Sequence, residues 1–167
     1  DALDEIDETV PVTVGGAVGT GTITDDDATP SLSIDDVTVN EAAGTMTFTV
    51  TLSAASGQAV SVDYASSNGT AAAGADYPAS SGTLAFAPGV TSQTVTIDIA
   101  EDTIFEGNET LNVTLTGATN ATIADGAGIG TIIDNDAAPT LAVSSPTVGE
   151  AGGHALFTLT LSNPSSV

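Results

Sequence analysis

The sequence predicts an all-β protein, an antiparallel seven-stranded β-sandwich in tandem repeats, and three observations support this fold class. Apolar and polar residues alternate with a period of two in short segments, as expected for half-buried strands. Turn-forming pairs such as Asn68-Gly69, Ser81-Gly82 and Pro88-Gly89 separate these segments. No window shows a helical period, and about seven short strands in a unit of this size are typical of a β-sandwich.

Six segments with this alternation follow one another in the middle of the chain. In the first, TMTFTVTLS, apolar residues from Met46 to Leu52 alternate with threonine. The other apolar positions are, in chain order, Val60, Val62 and Tyr64; Leu84 and Phe86; Val95, Ile97 and Ile99; Leu111, Val113 and Leu115; and Ile129 followed by Ile132 or Ile133.

The chain also repeats itself, and this repeat predicts its domain organisation. The segment GTGTITDDDATPSLSIDDVTVNEAAGTMTFTVTLS, from Gly19, aligns without a gap to GIGTIIDNDAAPTLAVSSPTVGEAGGHALFTLTLS, from Gly128, with about half of the positions identical. The segment DEIDETVPVTV, from Asp4, is similar to FEGNETLNVTL, from Phe105. We therefore predict that residues 1–27 end an upstream repeat, residues 28–136 form a complete repeat, and residues 137–167 begin a downstream repeat.

The charge of the chain excludes several classes of partner. There are 22 Asp and Glu residues and no Lys or Arg, which gives a formal net charge of −22. Nucleic acids and anionic membrane surfaces are bound by basic residues, so we expect neither as a partner. The apolar runs are too short for membrane insertion, and no basic segment followed by an apolar run opens the chain. Without cysteine, disulfides and thiolate metal sites are excluded.

The acidic residues of this acidic protein are bunched rather than spread. Five lie in the first eight residues, and others cluster at 25–27, 101–109 and 134–136. A single carboxylate is most often a solvated surface group, and an acidic halophile surface is the alternative explanation. Ca²⁺ takes six to eight oxygen ligands from carboxylates, carbonyls and water. Zinc would need His or Cys, and we place the lone His154 at the surface. Bunching therefore favours calcium sites.

Four motifs make the middle unit similar to the Calx-beta repeat, an immunoglobulin-like sandwich module. They are VNEAAGTMTFTVTLS, SSNGTAAAGADY, GTLAFAPGVTSQTVTIDIAEDTIFEGNETLNVTL and GTIIDND. The family includes modules of sodium–calcium exchangers and tandem arrays in large extracellular bacterial proteins. The resemblance implies that acidic residues of these motifs converge on loops at one end of the sandwich and hold several Ca²⁺ ions.

The resemblance also implies the ligand positions, although Thr103 and Asn135 stand where the family commonly has aspartate. In the middle unit the implied ligands are Glu41, Asp76, Glu101, Asp102, the Ile104 carbonyl, Glu106, Glu109, Asp134, Asn135 and Asp136. The internal repeat adds a truncated upstream set, which comprises Asp1, Glu5, Glu8, Asp25, Asp26 and Asp27. Five further acids match no ligand position and are predicted to be surface or turn residues: Asp35, Asp36, Asp63, Asp98 and Asp125.

These features predict a non-enzymatic, calcium-binding structural repeat of an extracellular or cell-surface adhesin or fibre. In this interpretation Ca²⁺ stiffens the joints between repeats, and the partners are neighbouring repeats of the same chain or other subunits of a fibre. One alternative is a calcium-dependent module that binds a glycan or protein, although aromatic residues make up only 4% of the chain. Further alternatives are a head-to-tail filament joined by strand complementation and regulatory calcium sensing. Paired carboxylates can also hydrolyse glycosides, but acids that recur in adjacent repeats fit ion sites better.

Overall fold

The computed structural model describes residues 3–166, which leaves Asp1, Ala2 and Val167 outside the description. The described residues form short β-strands and two single-turn 3₁₀ segments, Glu41–Ala43 and Glu150–Gly152. The strands are β1 (Glu8–Val14), β2 (Ala17–Ile23), β3 (Ser31–Ile34), β4 (Val37–Asn40), β5 (Thr45–Leu52), β6 (Val60–Asn68), β7 (Ser81–Phe86), β8 (Ser92–Asp98), β9 (Glu109–Thr119), β10 (Thr122–Asp125), β11 (Ala127–Ile133), β12 (Leu141–Val143) and β13 (Leu159–Leu161).

Strands β3 to β11 form the two sheets of a β-sandwich. One sheet has four strands in the order β10-β3-β5-β8, and the other has five in the order β4-β11-β9-β6-β7. Neighbouring strands are antiparallel except for two parallel pairs, β10 with β3 and β11 with β4. The predicted all-β sandwich is confirmed. It differs in detail from the prediction, because it has nine strands rather than seven and is not antiparallel throughout.

The extra strands arise where the chain crosses from one sheet to the other. Strands β3 and β4 have four residues each, so each contributes only two apolar positions, and Asp35 and Asp36 lie between them. The Thr49 N–H donates to Asp35 Oδ1 at 2.6 Å, and the Ile129 N–H donates to Asp36 Oδ1 at 2.7 Å. Both acids are exposed, and each ties the crossing segment to a different sheet.

The core lies between the two sheets and is built by the alternation seen in the sequence. On β5, Met46, Phe48 and Val50 are fully buried, while the threonines between them face outward or are half-buried. On β9 of the other sheet, Leu111 and Val113 are also fully buried. Each such apolar side chain stabilises the fold by about 1.5–3 kcal/mol relative to an exposed one.

Glycines in β11 allow the two sheets to approach closely. A Cβ atom at Gly130 would overlap the Met46 Sδ atom and lie 3.0 Å from Phe48 Cζ. A Cβ atom at Gly128 would lie 2.7 Å from the carbonyl oxygen of Asp35. Side chains at these positions would displace core atoms or backbone.

Two strand pairs flank the sandwich. Strands β1 and β2 form a hairpin whose turn residues, Gly15 and Gly16, both have positive φ. Strands β12 and β13 form an antiparallel pair. The apolar side chains on both pairs are exposed, as at Val12 (56%) and Leu159 (62%). No helix within residues 3–166 is long and apolar enough to cross a membrane.

Candidate metal centre

Four segments bring acidic side chains together at one end of the sandwich. They are the 3₁₀ turn after β4, the loop between β6 and β7, the loop between β8 and β9, and the segment after β11. A small cavity lies between them, and the acidic residues that line it are Glu41, Asp76, Glu106, Glu109 and Asp134. These residues come from all four segments, so the fold brings together acidic residues that are far apart in the sequence.

The first acidic group consists of Glu41, Asp134 and Asp136. Each offers a carboxylate oxygen within 4.8 Å of the other two. Glu41 is only 7% exposed. Asp136 Oδ2 is buried and has no hydrogen-bond partner among the described residues. An unpaired buried carboxylate oxygen is costly, and a cation is the partner that would compensate it.

The second acidic group consists of Asp76, Glu106 and Glu109, again with carboxylate oxygens within 4.8 Å of one another. Burial is the largest cause that raises the pKa of Glu109, and the Asp76 carboxylate raises it further through its charge and a hydrogen bond. The charges of Glu106 and Glu41 add to this effect. Because Glu41 belongs to the first group, the two groups share one electrostatic environment.

The pKa values in the first group are raised for similar reasons. Desolvation is the largest cause at Glu41, where the backbone hydrogen bond from Asp102 opposes it and the charges of Asp102, Glu101 and Asp134 reinforce it. Desolvation also raises the pKa of Asp136, together with the charges of Asp134, Glu101 and Asp102. Ionised carboxylates therefore repel one another here, and a bound cation would reverse the sign of that interaction.

Hydrogen bonds between loops position Glu41. Asn40 Oδ1 accepts the Ala42 N–H at 3.0 Å and caps the 3₁₀ turn that presents Glu41. Glu41 Oε1 accepts the Asp102 N–H at 3.3 Å. Asp102 Oδ1 in turn accepts the Ile104 N–H at 2.7 Å, which closes an Asx turn in the β8–β9 loop.

Asn68 has a similar role beside Asp76. Its Oδ1 atom accepts the Tyr77 hydroxyl at 2.7 Å, which holds the residue next to Asp76. The Asp76 carbonyl accepts the Ala100 N–H at 2.8 Å, and its Oδ2 atom accepts the Ala72 N–H at 2.6 Å. The sequence motifs do not single out Asn40 and Asn68 as residues that position the acids. The usable signals were the position of Asn40 directly before a short turn and of Asn68 in an Asn-Gly pair.

Four of the ligand positions implied for the middle unit lie outside the two groups. Glu101 and Asp102 are exposed beside them, and Ile104 is half-buried. The Asn135 side-chain N–H donates to Glu101 Oε1 at 3.1 Å and to Asn40 Oδ1 at 3.3 Å. Of the implied ligands, the structure therefore brings six carboxylates into two groups and leaves these four residues at their rim.

The upstream acids lie together in a looser arrangement. A cavity of about 200 Å³ is lined by Glu5, Ile6, Glu8, Ile23, Thr24, Asp25, Asp26 and Asp27. The Asp25 N–H donates to Asp7 Oδ1 at 3.0 Å, a contact that the sequence did not suggest. Within the described residues, no three of these upstream carboxylates come within 4.8 Å of one another. Asp1, the remaining predicted ligand, lies outside the described residues.

Comparison with known proteins identifies the module. The model of the Calx-beta domain family matches residues 24–137. The chain belongs to the Calx-beta family. Its Calx-beta domain is similar to the apo-form Calx CBD1 domain, with a TM-score of 0.61 and 26% identity over 65% of this chain and 100% of that one.

Two further structures extend this comparison of the Calx-beta domain. The calcium binding domain CBD12 of CALX1.1 has a TM-score of 0.60 and 27% identity over 68% of this chain, which spans 50% of that structure. The Calx CBD2 domain, at 14% identity and a TM-score of 0.56, shares the fold. No curated protein sequence matches the chain.

The donor set of this Calx-beta domain fits an oxygen-preferring cation. Both groups consist of carboxylates alone. Hard divalent cations such as Ca²⁺ bind such oxygens, whereas zinc sites usually include His or Cys. His154 belongs to neither group and is exposed. The two groups could therefore hold metal ions, and Asp136 Oδ2, which has no hydrogen-bond partner among the described residues, would gain a partner from such an ion.

Proposed function

We propose that this Calx-beta domain is a non-enzymatic, calcium-binding structural repeat of an extracellular or cell-surface adhesin or fibre. The observation that carries the proposal is the convergence of six carboxylates in two groups around one cavity, with no Lys or Arg in the chain to neutralise them. The family match supports a calcium-binding module rather than a catalytic one.

Each acidic group would hold an ion. Glu41, Asp134 and Asp136 would supply one set of oxygens, and Asp76, Glu106 and Glu109 the other. The further ligands in the proposal are Glu101, Asp102, the Ile104 carbonyl and Asn135, which lie at the rim. A bound Ca²⁺ supplies positive charge that links four chain segments otherwise separated by carboxylate repulsion.

The proposal extends to the repeat organisation. Residues 28–136 are the complete unit, while residues 1–27 and 137–167 are parts of neighbouring units. In the upstream unit Glu5, Glu8 and residues 25–27 would form the counterpart site, together with Asp1. Extracellular modules commonly bind Ca²⁺ in the range 10⁻⁴–10⁻³ M, where it can stiffen the joints between repeats.

A calorimetric calcium titration and thermal melts in EGTA and in millimolar Ca²⁺ test the proposal. We expect binding with heat exchange and an increase in melting temperature, because Ca²⁺ at one to ten times its Kd stabilises the fold by about 0.4–1.4 kcal/mol per ion. Identical melts under both conditions would exclude a stabilising calcium site.

A pair of matched variants locates the site. Glu41→Gln removes a buried ligand, and we expect it to weaken calcium binding at least tenfold. Glu150 occupies the same position in the downstream repeat and is exposed. Glu150→Gln should therefore bind calcium as the unmodified chain does. Equal losses in both variants would show a general charge effect instead of a site at Glu41.

A second candidate is a filament of subunits joined by strand complementation. It is favoured by the apolar side chains that β1, β2, β12 and β13 expose. Sedimentation velocity over a hundredfold range of concentration tests it. Growing assemblies would support the filament, whereas a concentration-independent monomer would exclude it.

A further inference from the structure

The β8–β9 loop and its upstream counterpart contact the following repeat in the same way. Asp4 forms a parallel β-bridge with Ser56, which lies between β5 and β6. Phe105 forms a parallel β-bridge with Ser165. Ser165 follows Ser56 by 109 positions, the same spacing as in the gapless alignment of Gly19 with Gly128. Asp4 and Phe105 are likewise equivalent, because each directly precedes a glutamate of the acidic loop.

Equivalent backbone hydrogen bonds hold both joints. The Gly57 N–H donates to the Asp4 carbonyl at 3.1 Å, and the Ser166 N–H donates to the Phe105 carbonyl at 3.1 Å. At the second joint the Phe105 N–H also donates to the Pro164 carbonyl at 3.2 Å. The same backbone pairing occurs at both joints although the residues differ, Asp4 at one and Phe105 at the other. The joint is therefore specified mainly by backbone geometry.

The upstream joint is reinforced by side chains. Asp4 is only 7% exposed, and its carboxylate accepts hydrogen bonds from the Gln58 amide at 3.4 Å and the Thr29 hydroxyl at 3.3 Å. The Ser56 hydroxyl, itself buried, donates to the Asp4 carbonyl at 3.1 Å. Asp4 therefore joins the upstream acidic loop, the linker and the middle repeat.

We propose that the segment between β5 and β6 of each repeat is a docking site for the acidic loop of the preceding repeat, and that docking and metal binding strengthen each other. The docking segment comprises residues 54–58 and, downstream, residues 163–166. Phe105 lies between Ile104 and Glu106, so an ion that orders this loop also orders the backbone that pairs with the next repeat. Coupling of this kind is reciprocal. The proposed coupling to metal binding rests on the proposed function, whereas the proposed docking site does not.

A cysteine pair tests docking directly. The chain has no cysteine, so Phe105→Cys with Ser165→Cys introduces the only two thiols. Bridged strands lie about 4.8 Å apart, within the Cα separation that a disulfide spans. We expect this pair to cross-link under mild oxidation at least tenfold faster than the control pair Phe105→Cys with Ser145→Cys, measured by mass spectrometry of the monomer. Equal rates would overturn the docking site.

Calcium dependence tests the coupling. The cross-linking rate of the docked pair should rise severalfold when EGTA is replaced by millimolar Ca²⁺. Ser166→Pro removes the amide that donates to Phe105, and we expect it to weaken calcium binding about two- to tenfold. Ser166→Ala keeps the amide and should leave calcium binding unchanged.

The outcomes separate the two proposals. The coupling is overturned if calorimetry shows calcium binding, but Ca²⁺ does not change the cross-linking rate and Ser166→Pro does not change the calcium affinity. If calorimetry shows no calcium binding, the proposed function and the coupling fail together. Specific cross-linking of the docked pair supports the docking site in either case.

Discussion

Glu109 lies where the fold opposes the ionisation of a carboxylate. Burial, the Asp76 carboxylate and the charge of Glu106 raise its pKa to about 7, from a reference value of 4.5. Between these two pH values the folded protein holds a proton that the unfolded chain releases. Glu41 and Asp136 are shifted in the same direction and enlarge the effect.

We expect the metal-free protein to lose stability as the pH rises from about 4.5 to 7. The stabilisation from the retained proton is fully present below 4.5 and is lost as the pH passes the folded pKa near 7. Urea unfolding in EGTA across this range measures the slope. Glu109→Gln should flatten the profile, and Glu150→Gln should not. A profile that rises throughout this window in the unmodified chain would contradict the shift.

The proton on the Glu109 carboxylate competes with a metal ion for the same oxygen atoms. Because a carboxylate must be ionised to bind a cation, calcium affinity should increase as the pH rises through the same window and level off above 7. Calorimetric titrations at pH 5.5, 6.5 and 7.5 measure this change, and proton release on binding can be read from the buffer dependence of the heat. An affinity independent of pH would show that the ion does not bind at Glu109.

At this scale the sequence predicts candidate ligands but not how the structure groups them. The resemblance to the Calx-beta repeat points to Glu41, Asp76 and Asp134 as ligands. It gives Glu101 and Asp102 equal weight with Glu106, although the structure leaves the first two at the rim. Which acids converge is decided by contacts between distant loops, such as the hydrogen bond from the Asp102 N–H to Glu41 Oε1, and no local pattern records those.

At the scale of elements, β11 and β2 show that two strands of similar sequence can differ in whether they need glycine. Gly130 in β11 and Gly21 in β2 are equivalent positions of the repeat. A Cβ atom at Gly130 would overlap Met46, whereas at Gly21 its nearest contact is the Val10 carbonyl oxygen at 3.8 Å. The need for glycine thus comes from the opposite sheet and not from the strand itself.

Gly130→Ala should therefore destabilise the sandwich, while Gly21→Ala should not. Overpacking a core typically costs about 1–3 kcal/mol, and Met46 and Phe48 would have to move. Urea unfolding in saturating calcium measures both variants. A Gly130→Ala protein with unchanged stability would mean that the sheets separate easily at this point.

The accuracy of the element predictions depends on strand length. Strands β5, β8 and β9 have seven or more residues, and their alternation is visible in the sequence. Strands β3, β4 and β10 have four each, and β3 and β4 belong to different sheets. Their parallel pairing with β10 and β11 depends on tertiary contacts, which a period of two does not reveal.

At the scale of the whole molecule, the net charge of −22 acts on the fold through self-repulsion. Because no basic side chain neutralises the acids, the metal-free protein depends on solvent ions for screening. The Debye length falls from about 30 Å at 0.01 M salt to about 3 Å at 1 M.

We expect sodium chloride to raise the melting temperature of the protein in EGTA, and to raise it much less in millimolar Ca²⁺. Salt weakens the repulsion that destabilises the metal-free loops, whereas bound calcium has already removed much of it. Melting curves from 0.01 to 1 M salt measure the difference. A melting temperature that falls with salt in EGTA would show that carboxylate repulsion does not limit stability.

The two proposed joints have one further consequence for this chain. Asp4 and Phe105 have nothing chemically in common, yet each forms a parallel bridge, Asp4 with Ser56 and Phe105 with Ser165. Backbone groups are present in every sequence, so a joint made from them can persist when nearby side chains are substituted. In the proposed repeat organisation, a unit placed beside a new neighbour would keep this backbone pairing whichever side chains stood at the boundary.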